Sequence, residues 1–203
     1  MLNDVTVFNI REYLSAKGDK DLGEDELRQL LSEFFCDKNP DVERFLKEQS
    51  IEFTKKNQSV TYLVFSNEDA SLVGYFTITI KPITVNAENF SNTMKRKIAR
   101  VSELDEENGI YTLSAYLIAQ LGKNFKDGAN EKITGEQLLQ AAIDTIKELQ
   151  YMAGGMVIFL EAENNDKLMY FYEDENGFKR FDVREAKSGV HDSHTLLQLL
   201  KII

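Results

Sequence analysis

The run from Tyr111 to Phe178 constrains this chain more than any other, because its apolar spacing changes period in a definite order. Tyr111–Leu121 is rich in aromatic, aliphatic and β-branched residues and reads as a strand. A polar loop, Gly122–Ile133, follows. Thr134-Gly135-Glu136-Gln137 is a capping box, in which the Thr134 hydroxyl can accept from the Gln137 amide and the Gln137 side chain can reach back. Behind it Leu138, Leu139, Ala142, Ile143, Ile146 and Leu149 recur at helical spacing, which predicts an amphipathic helix over 135–150. Met156–Glu161 reads as a second strand and runs into Asn164-Asn165-Asp166. Leu168–Tyr172 then makes a short helical segment, closed by Asn176-Gly177-Phe178, where Gly177 suits a helix end with positive φ. Strands joined by such a helix are expected to lie side by side and parallel.

The flanks supply the rest of a sheet. Val60–Phe65 and Leu72–Ile80 surround the polar turn Ser66–Asp69 and predict an antiparallel hairpin, ended by Pro82. Asn39-Pro40-Asp41 starts a helix, with Val42, Phe45, Leu46, Gln49 and Phe53 along one face. Residues 3–17 have a roughly helical spacing at Val7, Ile10 and Leu14, and the first 25 residues read as an appendage. Leu27–Cys36 suits either a helix or the end of a strand. Ser91–Val101 predicts a helix with Met94, Ile98 and Val101 inward. Phe178–Arg184 and Thr195–Ile203 read as two closing strands. A hairpin followed by helical crossovers gives a mixed sheet of about six to seven strands with helices on both faces. The fold class is therefore α/β (α+β), as one domain over 1–203.

Charge and cysteine content narrow the function. The net charge is −10, so a phosphate-gripping basic surface is not expected and nucleic acid is an unlooked-for partner. Lys95-Arg96-Lys97 with Arg100 is the one dense basic cluster, read either as a solvated helix face or as a local anion site. The single cysteine, Cys36, precludes an internal disulfide, fits a reducing cytoplasmic setting and reads as a buried thiol. No signal peptide is evident, and no apolar run approaches the roughly 20 residues that span a bilayer. His191 and His194 lack a third ligand signal, so no metal site is expected.

In its order of elements, Tyr111–Phe178 resembles the central half of the GNAT superfamily of acetyl-CoA-dependent N-acetyltransferases. That family carries a pyrophosphate loop of the form Gln/Arg-x-x-Gly-x-Gly/Ala. Here the run is Asn130-Glu131-Lys132-Ile133-Thr134-Gly135, in which the last glycine matches, Asn130 stands for the first residue and Ile133 for the middle glycine. Gln120-Leu121-Gly122-Lys123 sits where the family's fourth strand splays from its neighbour and its backbone pairs with pantetheine and the acetyl carbonyl. The family's Asn-x-x-Ala-hydrophobic-x-Phe-Tyr appears as Asn165–Tyr172, with Leu168 for the alanine, and Gly-Phe follows at Gly177-Phe178. The resemblance covers roughly residues 60–180. It implies acetyl-CoA as cosubstrate, held at Leu121, Lys123, Asn130, Lys132, Ile133, Thr134, Gly135, Asn165 and Tyr172.

The chemistry implied is acetyl transfer to an amine of a small molecule or protein. Tyr172 would act as general acid on the departing thiolate, a role suited to a phenol that is protonated at neutral pH. Glu161 and Glu163, at the end of the second strand, are the candidate bases, or else caps for the helix that follows. Two other readings stay open: an acyl-CoA-binding module without turnover, and a GNAT toxin that acetylates aminoacyl-tRNA. The oligomeric state is also open, a homodimer being one option.

Overall fold

The computed structural model describes residues 4–14, 23–188 and 192–203. Eight strands form one sheet in the order β1-β2-β3-β5-β6-β8-β7, with the two-residue β4 beside β5. They are β1 (Val5–Asn9), β2 (Val60–Ser66), β3 (Leu72–Asn86), β4 (Leu104–Asp105), β5 (Ile110–Lys123), β6 (Val157–Glu163), β7 (Lys179–Ser188) and β8 (Asp192–Ile202). The helices are α1 (Ile10–Leu14), α2 (Gly23–Ser32), α3 (Pro40–Arg44), α4 (Ser50–Lys55), α5 (Asn92–Ile98), α6 (Gly135–Ala153) and α7 (Asp166–Met169). The strand total exceeds the sequence expectation by β1 and β4. The β1–β2, β2–β3, β4–β5, β6–β8 and β7–β8 pairings are antiparallel. Adjacent β5 and β6 are joined through α6, the kind of connection that parallel neighbours use.

The chain divides into two compact units, residues 1–79 with 118–145 and residues 80–117 with 146–203. In the first, the predicted hairpin is present, with Val60 opposite Ile78 and Val64 opposite Gly74. The N-terminal residues depart from the helical reading: Val5–Asn9 pairs along β2, Val5 opposite Ser66, before the chain turns into α1. Ile10, Leu27, Leu31, Phe34, Leu46 and Tyr75 are fully or nearly fully buried in one cluster. Leu27–Ser32 is helical, which settles the helix-or-strand ambiguity there.

Asn39 caps α3, its side chain accepting from the Val42 amide at 3.3 Å, as the sequence predicts. The stripe behind it shifts, however. A π turn at Phe45–Gln49 separates α3 from α4 and adds a residue to the helical period. Ser50, Ile51 and Thr54 are therefore buried, and Phe53 is left exposed.

In the second unit, β3 continues past Pro82 to Asn86, so the proline does not end the strand; Ile80, Lys81 and Pro82 are exposed there. Ser91 caps α5 by accepting from the Met94 amide, and Ile98 is buried, but Val101 is 52% exposed because α5 has already ended at Ile98. Phe90, Ile98, Leu113, Phe159, Phe181 and Leu200 form this unit's core. The β6–β8 and β8–β7 ladders close it. His194 lies in β8, and His191 is outside the described residues.

Candidate functional site

The capping box forms as written in the sequence. The Thr134 hydroxyl accepts from the Gln137 amide at 3.1 Å, and the Gln137 side-chain oxygen accepts from the Thr134 amide at 2.8 Å. Leu138 donates to the Thr134 carbonyl. The Gly135 and Glu136 amides are left without a partner among the described residues, at the positive end of a 19-residue helix. Leu138, Leu139, Ala142 and Ile143 are buried and anchor that end.

The run before the helix is a 3₁₀ segment, Lys126–Lys132, broken by Asp127 at φ 48° and Gly128 at φ 75°. These left-handed positions turn the backbone ahead of α6. Ile133 points inward and is buried; Asn130 is half-buried and Lys132 exposed. The Lys132 ammonium is held by Asp69, whose carboxyl it draws down to about 2 together with the Ser71 hydroxyl. Lys132 also reaches the Ser71 Oγ at 3.2 Å. The loop is thereby tied to the β2–β3 turn.

At the end of β5, Gly122 is where the backbone meets its neighbours most closely. A Cβ there would stand 2.4 Å from Val42 Cγ1 and within contact of Phe34 and Tyr75. Leu121 and Lys123 are half-buried. Burial, and then the charge of Lys38, lower the Lys123 pKa. Asn124, which the sequence does not mark out, is buried and saturated. Its Oδ1 accepts from the Phe35 and Lys126 amides at 2.9 and 3.1 Å. Its Nδ2 donates to the carbonyls of Glu33 and Leu72 at 3.2 and 2.8 Å.

In the second unit, Asn165 caps α7: its Oδ1 accepts from the Lys167 and Leu168 amides at 2.9 and 3.4 Å. The helix continues as a π turn, Tyr170–Glu175, of the kind enriched at functional sites. Gly177 ends it at φ 68°, and the Phe178 amide returns to the Tyr172 carbonyl at 2.9 Å. The Tyr172 ring meets Phe171 and Phe178 edge-on, with centroids 4.9 and 5.9 Å away.

The tyrosine hydroxyls differ in a way that bears on chemistry. Tyr75 donates to the Val42 carbonyl at 2.6 Å, and Tyr116 to the Gly154 carbonyl at 2.5 Å. Tyr172 has no hydrogen-bond partner among the described residues, although burial pushes its pKa up to about 12. Tyr172 is half-buried, so this donor is open to a ligand.

The two candidate bases separate. Glu161 is engaged on both oxygens, by the Arg184 guanidinium and by Gln198 Nε2 at 2.8 Å, which ties β6 to β8 and β7. Glu163 is exposed at the strand end and has no side-chain partner among the described residues. Cys36 is buried and its thiol pKa is raised by burial, which suppresses the thiolate. Among the described residues no group of three or more His, Cys, Asp or Glu is placed to hold a metal ion, and no helix is long and apolar enough to cross a membrane.

No protein-family model matches the chain, and no curated protein does. Solved structures do. The structure of AtaT complexed with acetyl-methionyl-tRNAfMet matches with a TM-score of 0.60 at 16% identity, covering 96% of this chain and 94% of that one. A tyrosine-to-phenylalanine mutant of KacT gives 0.59 at 17% identity, with 97% and 95% covered. AtaTR bound with AcCoA gives 0.54 at 16% identity, with 98% and 93% covered. The chain shares the fold of these structures.

Proposed function

We propose that this protein is an acetyl-CoA-dependent N-acetyltransferase. The observation that carries the reading is the Tyr172 hydroxyl, protonated, half-buried and without a protein partner among the described residues, in a chain with the fold of AtaT. Tyr172 donates its proton to the departing CoA thiolate. The free Gly135 and Glu136 amides, with the α6 dipole, receive phosphate oxygens; Asn130, Lys132, Ile133 and Thr134 shape the approach. The backbone at Leu121 and Lys123 supports the pantetheine arm and the acetyl carbonyl. Asn165 holds the start of α7, which positions Tyr172. Glu163 serves the amine as base through a water, and Glu161 braces β6.

The test is thermal stability in acetyl-CoA, CoA and ATP. Acetyl-CoA at a hundredfold excess over its dissociation constant adds about 2.7 kcal/mol by mass action. No shift at millimolar acetyl-CoA in the folded protein removes the reading. Stabilisation by acetyl-CoA without transfer to any amine in a broad acceptor screen leaves an acyl-CoA-binding module instead.

The acceptor reading best supported is the α-amine of an aminoacyl-tRNA. AtaT is known complexed with acetyl-methionyl-tRNAfMet. The net charge of −10 opposes a polyanion at long range, but charge is unevenly spread. With Met94 and Ile98 turned to the core, Arg96, Lys97 and Arg100 are exposed on the outer face of α5 and the turn after it. None has an ion-pair partner among the described residues. Incubation with charged tRNA and labelled acetyl-CoA tests this reading; label confined to free amines or protein overturns it.

A further inference from the structure

The end of β5 and the α2–α3 connection are stitched into a clasp. The Phe35 amide donates to Asn124 Oδ1 at 2.9 Å, and the Phe125 amide donates to the Phe35 carbonyl at 2.7 Å. Asn124 Nδ2 reaches the Glu33 carbonyl at 3.2 Å, and Lys126 is paired with the Glu33 carboxylate. The clasp thus fixes two side-chain features that the fold itself does not use.

The first is a pair of ammonium groups. Lys38 sits 4.4 Å over the Phe125 ring, and Lys123 is half-buried and feels the Lys38 charge. Neither has a carboxylate partner among the described residues. Of the nearby acids, Glu33 is taken by Lys126 and Glu43 by Lys47 and the Cys36 amide; Asp37 is exposed and forms no ion pair with either lysine. Holding two like charges together, one of them partly desolvated, is unfavourable until an anion arrives. The second feature is Phe35, 46% exposed and without an aromatic partner among the described residues, one bond from the stitched amide. An exposed aromatic ring on the same stitched segment as unpaired cations is a pattern that holds single-stranded nucleic acid, in which bases stack and phosphates meet ammonium groups.

We propose that this clasp is a docking site for the single-stranded 3′ end of an RNA, one base stacked on Phe35 and one phosphate between Lys38 and Lys123. The inference deepens the aminoacyl-tRNA reading and rests on it. It also places the acceptor end beside the Leu121–Lys123 backbone, to which the carbonyl of the acetyl group is assigned.

The probe is a fluorescently labelled RNA octamer ending in CCA, titrated against the full chain at several salt concentrations. Phe35→Ala and Lys38→Gln change exposed side chains, and unaltered melting of both variants confirms their folds. Phe35→Ala weakens binding roughly 5- to 150-fold with the salt slope unchanged. Lys38→Gln weakens it with a log–log salt slope shallower by about 0.7. Acetyl-CoA stabilises all three proteins equally. Binding that ignores Phe35→Ala overturns the proposal and points to a purely charge-held partner such as an acidic peptide. No RNA binding by the wild type also overturns it; stabilisation by acetyl-CoA in that same sample leaves the acetyltransferase reading standing. RNA binding sensitive to both variants, in a protein that acetyl-CoA does not stabilise, upholds the dock and removes the acetyltransferase.

Discussion

Thr134 and Gln137 satisfy each other's backbone amides, hydroxyl to amide at 3.1 Å and side-chain oxygen to amide at 2.8 Å. The exchange leaves Gly135 and Glu136 as the open donors of α6. Thr134→Ala removes the hydroxyl half of the box. A stability loss of about 1 kcal/mol is expected from chemical denaturation. Acetyl-CoA affinity should fall as well, because the helix start frays where phosphate is to bind. An unchanged affinity alongside the lost stability would separate the cap from the ligand.

Asn124 carries a larger structural load. Its amide meets two carbonyls and two amides at the end of β5, all in a buried setting. Asn124→Ala strands several of these groups away from water, at roughly 1–3 kcal/mol for each one left unsatisfied. A total near 3 kcal/mol, or a Tm lower by roughly 6–12 °C, is expected by calorimetry. Asn124→Asp keeps the acceptor but loses both donor contacts, so it should not rescue.

Gly122 tests packing rather than backbone freedom. A methyl there would press into Val42 Cγ1 at 2.4 Å. Gly122→Ala should cost about 1–3 kcal/mol by overpacking. In the double variant with Val42→Ala the two losses should not add, since the second removes the clashing atom. Additive losses in urea melts would show that the strand end moves instead.

These three sites differ in how far the sequence discloses them. The capping box and the Gly177 turn are written within four residues, so spacing and residue type suffice. The β2–β3 hairpin is legible for the same reason, two strand-like runs about a short turn. Asn124 is opaque, because its partners Glu33, Phe35 and Leu72 lie 91, 89 and 52 positions away. β1 is similarly hidden: Val5–Asn9 alternates only briefly, and its partner strand begins at Val60. The π turn at Phe45–Gln49 defeats helical periodicity by changing the period itself, which is why Phe53 lies outside and Ile51 inside. The place of Tyr172 in its motif is legible. The lack of a partner for its hydroxyl is a property of the packed molecule alone.

Tyr172 yields a prediction in pH as well as in turnover. Burial raises its pKa to about 12 from an ordinary 10, so the folded chain holds the phenol proton more tightly than the unfolded chain does. That preference is fully present below about pH 10 and is lost as pH rises toward 12, where the unfolded chain ionises first. Tyr75 and Tyr116 are also raised by burial, so the alkaline decline is shared. Tyr172→Phe keeps the ring against Phe171 and Phe178 and removes this one titration. Its stability should match wild type at neutral pH or exceed it slightly, and should fall less steeply between pH 10 and 12. Turnover, followed as CoA release with the acceptor in excess, should fall by about 10²–10⁴-fold if the hydroxyl is the general acid. The acetyl-CoA thermal shift should persist. A variant that melts much lower at pH 7 would show that the hydroxyl is structural, and turnover near wild type would take Tyr172 out of the chemistry.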